Sequence, residues 1–189
     1  MFFSALSAAV LRDLCGPDLL KLLTAEAREF VKKNTTMITI GLISDTHGLL
    51  RPEAIEALRG SNAIIHAGDV GDPEILEKLF RIAPVTAVRG NVDTEPGARE
   101  LPETSVLEVG DISIYVLHNI DQLDLKPEAA GFSAVIYGHS HVPAQEIKNG
   151  VLYFNPGSAG PKRFRLPVCL GMLIVDNQNV TGEFIQLCP

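Results

Sequence analysis

Five short segments of this sequence place Asp, Asn or His directly after an apolar run, and most of them also hold a glycine. The segments are Ser44-Asp45-Thr46-His47-Gly48, Ala67-Gly68-Asp69, Arg89-Gly90-Asn91-Val92-Asp93, His118-Asn119 and Gly138-His139-Ser140-His141. The last segment contains two of the five histidines of the chain, spaced two residues apart. Side chains at i and i+2 point the same way in an extended chain, so we expect both imidazoles to face one spot.

These side chains share the ability to coordinate divalent metal ions. The candidate ligands are two carboxylates, four imidazoles and one amide, namely Asp45, His47, Asp69, Asn91, His118, His139 and His141. Oxygen and nitrogen donors without sulfur suit Mn, Fe, Zn or Ni better than a metal that is selected by thiolates. Because this set is too large for one ion, it predicts two ions that share a bridging carboxylate, as in two-metal sites with ions ~3.5–4 Å apart.

The apolar runs that precede these segments predict the elements that would position them. In the first half of the chain, strands alternate with helices, at 37–44, 52–58, 63–66, 73–81 and 85–88. This β-α-β-α-β order is typical of parallel strands that are covered by helices. Ligands of such sheets bind at the carboxyl ends of the strands, so the polar segments should converge along the edge of one sheet.

The second half of the chain is predicted to be rich in strands. Apolar or alternating runs lie at 104–109, 112–117, 134–137, 144–148, 151–154, 168–175 and 180–187. Gly110-Asp111 and Asn149-Gly150 separate two pairs of these runs, and Asn-Gly is the strongest short signal for a hairpin. The two halves together predict one compact domain of mixed α/β (α+β) class over residues 37–189.

Composition and charge exclude some classes of partner. The chain carries 16 Lys and Arg against 23 Asp and Glu, for a net charge of −7, and it has no tryptophan. This balance argues against an extended nucleic-acid-binding face, which needs clustered cations, and against docking on anionic membranes. The three cysteines, Cys15, Cys169 and Cys188, are widely spaced, which predicts a reducing compartment, the cytoplasm, and no disulfide framework.

Residues 1–36 differ from the remainder of the chain. The apolar stretch 2–11 is too short to span a membrane and lacks the basic start of a signal peptide. Apolar residues then recur at roughly helical spacing from 17 to 33. Two interpretations stay open: residues 1–36 form an N-terminal helical extension, or Met37 is the native start and the upstream segment is not native.

Five motifs, in the order GLISDTHG, HAGDV, GNVD, LHN and GHSH, resemble those of the metallophosphoesterase, or calcineurin-like phosphoesterase, superfamily. The similarity extends from about residue 37 to residue 187 and is greatest to the small YfcE-type phosphodiesterase branch, which has a loop similar to NPGSAGPKRFRLP at 155–167. The resemblance implies a four-layer α-β-β-α sandwich, in which two mixed sheets are flanked by helices and the metals lie at the strand ends.

The resemblance also implies a role for each candidate ligand. The ligands implied for the first metal ion are Asp45, His47 and His141, and those implied for the second are Asn91, His118 and His139. Asp69 would bridge the two ions. Asn91 would in addition orient the substrate phosphate as a catalytic residue.

The activity implied by the resemblance is that of a metal-dependent phosphodiesterase. It would hydrolyse small phosphodiesters by in-line attack of a hydroxide that bridges two divalent ions. Manganese is expected first, with nickel, iron or zinc as alternatives. No membrane and no extended nucleic acid is expected as a partner, and the family together with the apolar N-terminal segment suggests a homodimer.

One position departs from the wider superfamily. Larger members carry a histidine directly after the motif asparagine, where it is thought to protonate the leaving group, and this chain has Val92 there. General acid help is typically worth ~10²–10⁴-fold. We therefore expect better turnover of activated or strained diesters than of alkyl diesters.

Two other functions remain as alternatives. A Vps29-like protein-interaction scaffold would keep the fold with a vestigial metal site, and a phosphomonoesterase or nuclease would use the same metals. The complete ligand set favours the enzyme over the scaffold. Outside this set, His66 is expected to pack, and Asp72 and Asp93 to cap or to orient ligands. The cations at 162, 163 and 165 are expected in a solvated or ion-paired loop, with phosphate contact as the alternative.

Overall fold

The computed structural model describes residues 37–188, so the predictions for residues 1–36 and for a domain boundary after residue 36 lie outside the described residues. Within this range the elements are, in chain order, β1 (Ile38–Ile43), α1 (Pro52–Leu58), β2 (Ala63–His66), α2 (Glu74–Phe80), β3 (Val85–Ala87), β4 (Thr104–Val109), β5 (Ile112–Leu117), a 3-10 helix (Ile120–Gln122), β6 (Ala134–Ile136), β7 (Ala144–Lys148), β8 (Val151–Asn155), β9 (Val168–Asp176) and β10 (Asn179–Cys188). Every predicted strand and helix of the range is present, and the ends differ by at most one residue. No helix of this range has the length and hydropathy that crossing a membrane requires.

The first sheet combines the predicted parallel half with the last two strands, in the order β10-β9-β1-β2-β3. β1, β2 and β3 are parallel neighbours, as the β-α-β-α-β pattern predicted. β9 pairs antiparallel with β1, and β10 pairs antiparallel with β9. β9 can take this inner position, between β10 and β1, because its sequence, VCLGMLIVD, is apolar on both faces up to its last residue. The strand-rich half of the chain is therefore divided between the two sheets.

The second sheet has the order β4-β5-β6-β8-β7 and is also mixed. β5, β6 and β8 run parallel, whereas the hairpins β4-β5 and β7-β8 are antiparallel. Asn149 and Gly150 join β7 to β8 with φ values of 51° and 81°, and a two-residue type I′ turn needs positive φ at both positions. The predicted Asn-Gly hairpin is confirmed.

The two sheets pack face to face around the main hydrophobic core. Its buried residues come from both sheets and include Ile40, Leu42, Ile65, Ile114, Val116, Ile136, Phe154 and Leu173. α1 and α2 cover the other face of the first sheet through buried residues such as Leu58 and Leu79. Ile120 and Leu123, in and after the 3-10 helix, pack on the other face of the second sheet. The four-layer sandwich is confirmed, with turns and a 3-10 helix in the layer where an α-helix was expected.

The packing of the two sheets also determines where their strands end. Ile40 and Leu42 of β1 face the core between the sheets, and the chain leaves β1 at the completely buried Ser44. Beyond the strand ends, Asp45 N donates to the carbonyl oxygen of Gly68, which links the loops after β1 and β2. The carboxyl ends of neighbouring strands of the first sheet thus meet at one end of the sandwich.

Candidate metal centre

Loops from both sheets bring the predicted ligands together. The first sheet supplies Asp45, His47, Asp69 and Asn91 from the loops after β1, β2 and β3, and the second sheet supplies His118, His139 and His141 from the loops after β5 and β6. The backbone N–H of His139 donates to Asp45 Oδ2 at 3.2 Å, which joins the two sheets directly. The expectation of a single sheet edge was wrong, because the site lies between the ends of two packed sheets.

Four of the ligands form one compact set, termed the first group: Asp45, His47, Asp69 and His141. One oxygen or nitrogen atom from each lies within 4.8 Å of those from the others. His141 Nε2 is 3.2 Å from Asp45 Oδ1 and 3.2 Å from His47 Nε2. His47 Nε2 is 3.8 Å from Asp69 Oδ2. Two buried carboxylates and two imidazoles at these distances can hold a divalent metal ion.

The other three ligands, Asn91, His118 and His139, form the second group, beside Asp69. Asn91 Oδ1 is 2.9 Å from His139 Nδ1 and 3.1 Å from His118 Nε2. His118 Nε2 is in turn 3.4 Å from Asp69 Oδ1. Asp69 therefore directs one oxygen toward the second group and its other oxygen toward His47 of the first group. This is the arrangement expected of a carboxylate that bridges two ions.

The backbone around the paired histidines is not the extended chain that the sequence suggested. His139 and His141 have φ values of 70° and 60°, so the loop twists and directs the two imidazoles to different groups. Three further ligands share this left-handed backbone, namely Asp45, His47 and Asp69. Such conformations cost about 1–3 kcal/mol each in residues other than glycine, and they cluster at functional sites.

Gly138 is required because the two sheets approach each other closely at the site. A Cβ atom at this position would overlap Ser44 Oγ and would lie 2.9 Å from Asp45 Oδ2. Ser44 Oγ and the His139 N–H both donate to Asp45 Oδ2, at 2.7 and 3.2 Å. These contacts hold one oxygen of Asp45 while Oδ1 faces the first group.

The donor set fits divalent cations, because several of its atoms face one another as acceptors. His118 Nδ1 lies 2.7 Å from the carbonyl oxygen of Ala67, which can only accept, so Nδ1 carries the proton. A neutral His118 ring then presents its Nε2 lone pair to the acceptor oxygen of Asn91. Asp45 Oδ1 is buried and has no hydrogen-bond partner. Buried acceptors destabilise a protein unless a donor or a cation satisfies them, and a divalent ion in each group would do so.

At two residues of this site, a proton can compete with a metal ion. Burial raises the pKa of Asp45 to about 6. Burial alone would lower the pKa of His118, but hydrogen bonds to Asp69 and to the Ala67 carbonyl raise it above 6.5. Burial alone would raise the pKa of Asp69, but hydrogen bonds from His118 and from the Val92 N–H lower it. Asp69 is thus ionised at neutral pH, whereas Asp45 and His118 can each carry a proton near pH 6.

The two imidazoles of the first group stay neutral. Burial lowers the pKa of His47 and lowers that of His141 to about 4, and the positive charge of Arg163 adds to both effects. A neutral imidazole is the form that binds a metal ion. The nitrogens of His47 and His141 are therefore available to a metal ion across the neutral range of pH.

Buried polar groups behind the ligands fix the loops. Asp93 accepts hydrogen bonds from the backbone N–H groups of Gly71 and Gly90, at 2.9 and 2.8 Å. His66 Nε2 is 2.9 Å from Thr46 Oγ1, and burial lowers the pKa of His66 to about 4. These contacts agree with the orienting role predicted for Asp93 and with the packing role predicted for His66.

Asn155 and Ser158 support the site but were not identified from the ligand pattern. Asn155 Nδ2 donates to the Gly138 carbonyl oxygen at 2.7 Å, which fixes the loop of the paired histidines. Ser158 Oγ donates to the carbonyl oxygen of Asp45 at 2.9 Å. The similarity of their loop to a loop of the family was the one available signal, because a buried uncharged Asn or Ser resembles any turn residue in sequence.

A cavity of about 200 Å³ opens beside the second group. Its polar lining includes Arg89, Asn91, Glu103, His118, Asn119 and Gln122. Arg89 Nη2 forms an ion pair with Glu103 Oε1 at 2.5 Å, and Asn119 Oδ1 accepts from the Asp121 N–H at the start of the 3-10 helix. The cavity offers a cation, a carboxylate and amides, and it is smaller than the ~300–1,000 Å³ typical of pockets for drug-sized ligands.

Comparison with known proteins agrees with this geometry. Residues 38–179 match the family model described as the calcineurin-like phosphoesterase superfamily domain. The chain is 36% identical over 150 residues to a probable metallophosphoesterase of Methanocaldococcus jannaschii, with 72% of this chain and 76% of that protein covered. It is 26% identical over 167 residues to the phosphodiesterase YfcE of Escherichia coli K12, with 72% of this chain and 88% of that protein covered.

A solved structure shares the fold at lower sequence identity. Vacuolar protein sorting 29 from Cryptosporidium parvum superposes with a TM-score of 0.64 at 20% identity, over 79% of this chain and 98% of that chain. A likeness at this level of identity shows the fold alone.

Metal binding should weaken as the pH falls through the pKa values of Asp45 and His118. The pKa of Asp45 is about 6 and that of His118 is raised above 6.5, so at lower pH an incoming ion must displace protons. Each unit of pH below a pKa is worth about a factor of ten. From about pH 7.5 to about pH 5.5, we expect the affinity for Mn²⁺ to fall at least about tenfold. Calorimetric titrations in two buffers of different ionisation enthalpy measure the affinity and the protons released.

The pKa of His141, which is lowered to about 4, means that this residue releases no protons in this range, and the lowered pKa of His47 reduces the protons that it releases. An affinity that stays constant across it, or binding near pH 6 without proton release, would contradict the assignment of the two competing protons.

Proposed function

Because the chain belongs to the calcineurin-like phosphoesterase superfamily, we propose that it is a metal-dependent phosphodiesterase that acts on small phosphodiesters. The proposal is carried by the convergence of all the candidate ligands at one end of the sandwich, in two groups that share Asp69. The relative YfcE is named a phosphodiesterase, which supports the choice of ester.

The first group would hold one divalent ion, and the second group would hold another, with Asp69 shared between them. Oxygen and nitrogen donors suit manganese, which is proposed first, and also nickel, iron and zinc. The bound ions would supply a bridging hydroxide near neutral pH for in-line attack on phosphorus and would offset the charge of the phosphate oxygens.

Asn91 would orient the substrate phosphate. Its Oδ1 atom faces His118 and His139 of the second group, so it would serve as a ligand. The same amide carries two N–H donors on Nδ2, which can donate to a phosphate oxygen. Asn91 would thus position the phosphorus relative to the nucleophile, and no covalent link between enzyme and substrate is required.

The cavity beside the second group would take one ester substituent of the substrate. Its volume of about 200 Å³ and its polar lining suit a small polar substituent. Its lining residue Glu103 comes from the loop before β4, Asn119 lies between β5 and the 3-10 helix, and Gln122 ends that helix. The net charge of −7 agrees with a small substrate in preference to a long nucleic acid.

A Vps29-like scaffold is the alternative that shares this fold. A vestigial metal site would have lost ligands, whereas this chain has a competent side chain at every candidate position and holds their loops with buried hydrogen bonds. The ligand set therefore supports the enzyme. A phosphomonoesterase or nuclease would use the same ligands and is separated from the diesterase only by its substrates.

The homodimer and the cytoplasmic location stay predictions. Cys169 is a buried free thiol, and burial raises its pKa to about 11. Its thiol donates to the Pro156 carbonyl oxygen at 3.1 Å, so it serves the packing of the loop after β8.

Replacing Asp69 by asparagine should remove most of the turnover of bis(p-nitrophenyl) phosphate. The amide keeps the shape of the side chain and an acceptor for the Val92 N–H, 3.0 Å away, but it removes the negative charge that both groups share. We expect kcat/KM with Mn²⁺ to fall at least about 100-fold, since residues that only orient metal ligands are already worth ~10–100-fold.

Asp72→Asn is the matched control, because Asp72 is half-buried outside both groups, where its carboxylate accepts from the Glu74 N–H at 2.9 Å. It should keep kcat/KM within about twofold. Wild-type turnover by Asp69→Asn would refute the bridging role. A parent protein that hydrolyses p-nitrophenyl phosphate but not the diester would be a phosphomonoesterase, and one that binds no metal and hydrolyses neither ester would be a scaffold.

Val92→His should improve the turnover of diesters with poor leaving groups. Val92 follows Asn91 and is 40% exposed, so the larger side chain can be accommodated and can protonate an alkoxide. We expect kcat/KM for an alkyl diester to rise about 10- to 100-fold, with little change for bis(p-nitrophenyl) phosphate, whose leaving group needs no proton. Val92→Asn is the control that is polar but not acidic. Equal gains in both variants, or none in Val92→His, would exclude the general-acid explanation.

A further inference from the structure

A cation lies against the first group. Arg163 Nη2 is 3.2 Å from His47 Nε2, the same nitrogen that faces His141 and Asp69. Among residues 37–188, none of the ion pairs to an aspartate or glutamate involves Arg163. Arg163 therefore presents a permanent positive charge at the edge of the proposed metal site.

The position of Arg163 is unfavourable once a divalent ion is bound in the first group, unless an anion binds there as well. A guanidinium has donors but no lone pair, and it stays protonated, so it cannot share His47 Nε2 with a metal ion. Two cations at short distance repel each other, whereas an anion in contact with both is attracted to each. The proposed activity brings one anion to this position, the phosphate of the substrate.

The loop that carries Arg163, residues 156–167, is fixed to the loop after β1, which carries Asp45 and His47. Arg51 Nε and Nη2 both donate to the Gly160 carbonyl oxygen, at 3.2 and 3.1 Å. Gly160 packs so closely on the carbonyl oxygen of Asp45 that a Cβ atom would overlap it. The backbone near Arg163 is thus held at a defined distance from the first group.

The chain reverses directly after Arg163 in a strained turn. The Leu166 N–H donates to the Arg163 carbonyl oxygen at 3.0 Å, and Phe164 has a φ of 51°. A left-handed backbone is strained for a bulky side chain, and the Phe164 ring gains no burial in return, since it is 96% exposed. The turn fixes the backbone that directly follows Arg163.

We propose that Arg163 binds a non-bridging oxygen of the substrate phosphate at the first group, while the cavity beside the second group takes an ester substituent. The inference rests on the proposed function and adds a residue that determines the affinity for the phosphate anion. The fork of N–H donors of an arginine matches the oxygens of a phosphate group. Arg163 is thus a binding residue for the substrate and is not a metal ligand.

Arg163→Gln should weaken the binding of the substrate and of inorganic phosphate. We expect kcat/KM for bis(p-nitrophenyl) phosphate to fall about 10- to 100-fold, and the Kd of inorganic phosphate for the Mn²⁺-loaded protein, measured by calorimetry, to rise by a similar factor. Arg163→Lys should recover part of both losses, because it keeps the charge but loses the planar fork. The Mn²⁺ content should stay at the level of the parent protein in both variants.

Arg165→Gln is the matched control, since it removes the same charge from an exposed position of the same loop, and it should change both quantities by no more than about twofold. An unchanged phosphate affinity in Arg163→Gln, an equal effect of Arg165→Gln, or loss of Mn²⁺ from Arg163→Gln would overturn the inference. A parent protein that neither binds Mn²⁺ nor hydrolyses the diester would overturn the proposed function itself. Diester turnover by the parent with no effect of Arg163→Gln would overturn this inference alone.

Discussion

The site depends on holding lone pairs and negative charges so close together that a cation must lie between them. His141 Nε2 lies 3.2 Å from Asp45 Oδ1 and from His47 Nε2, and the negative charge of Asp69 adds to the burial that raises the pKa of Asp45. Such a cluster is stable only with cations inside it, either protons or metal ions. A ligand that binds only the folded chain stabilises it, so metal binding would also contribute to folding.

The packing of the two sheets explains how these groups are held close together. Asp45, His47 and Asp69 come from the first sheet and His141 from the second, so the core between the sheets sets their spacing. A close-packed interior resists small changes of distance, and functional groups on rigid elements keep their geometry. The loop of Arg163 is attached to the same end of the sandwich, which would let one framework position the metal ligands and the anion-binding cation together.

Much of the fold and the ligand set could be predicted, because apolar periodicity and residue type are local properties of the sequence. Strand β2 and the polar residue Asp69 in the segment that follows it are an example. The left-handed backbone at His139 and His141 could not be predicted, since it depends on contacts with the other sheet. The pairing of β9 with β1 and the choice of Arg163 among three neighbouring cations are likewise tertiary properties. Local patterns thus predict which residues can bind metal, the family resemblance implies how they are divided between two groups, and packing sets the distances within each group.

The proposed site requires that two divalent ions share Asp69. Crystals grown with Mn²⁺ and measured at the manganese absorption edge would locate the ions directly. We expect two anomalous peaks ~3.5–4 Å apart, one beside His47 and His141 and one beside Asn91 and His118, with one oxygen of Asp69 on each. A single peak, or two peaks that Asp69 does not bridge, would contradict the shared site.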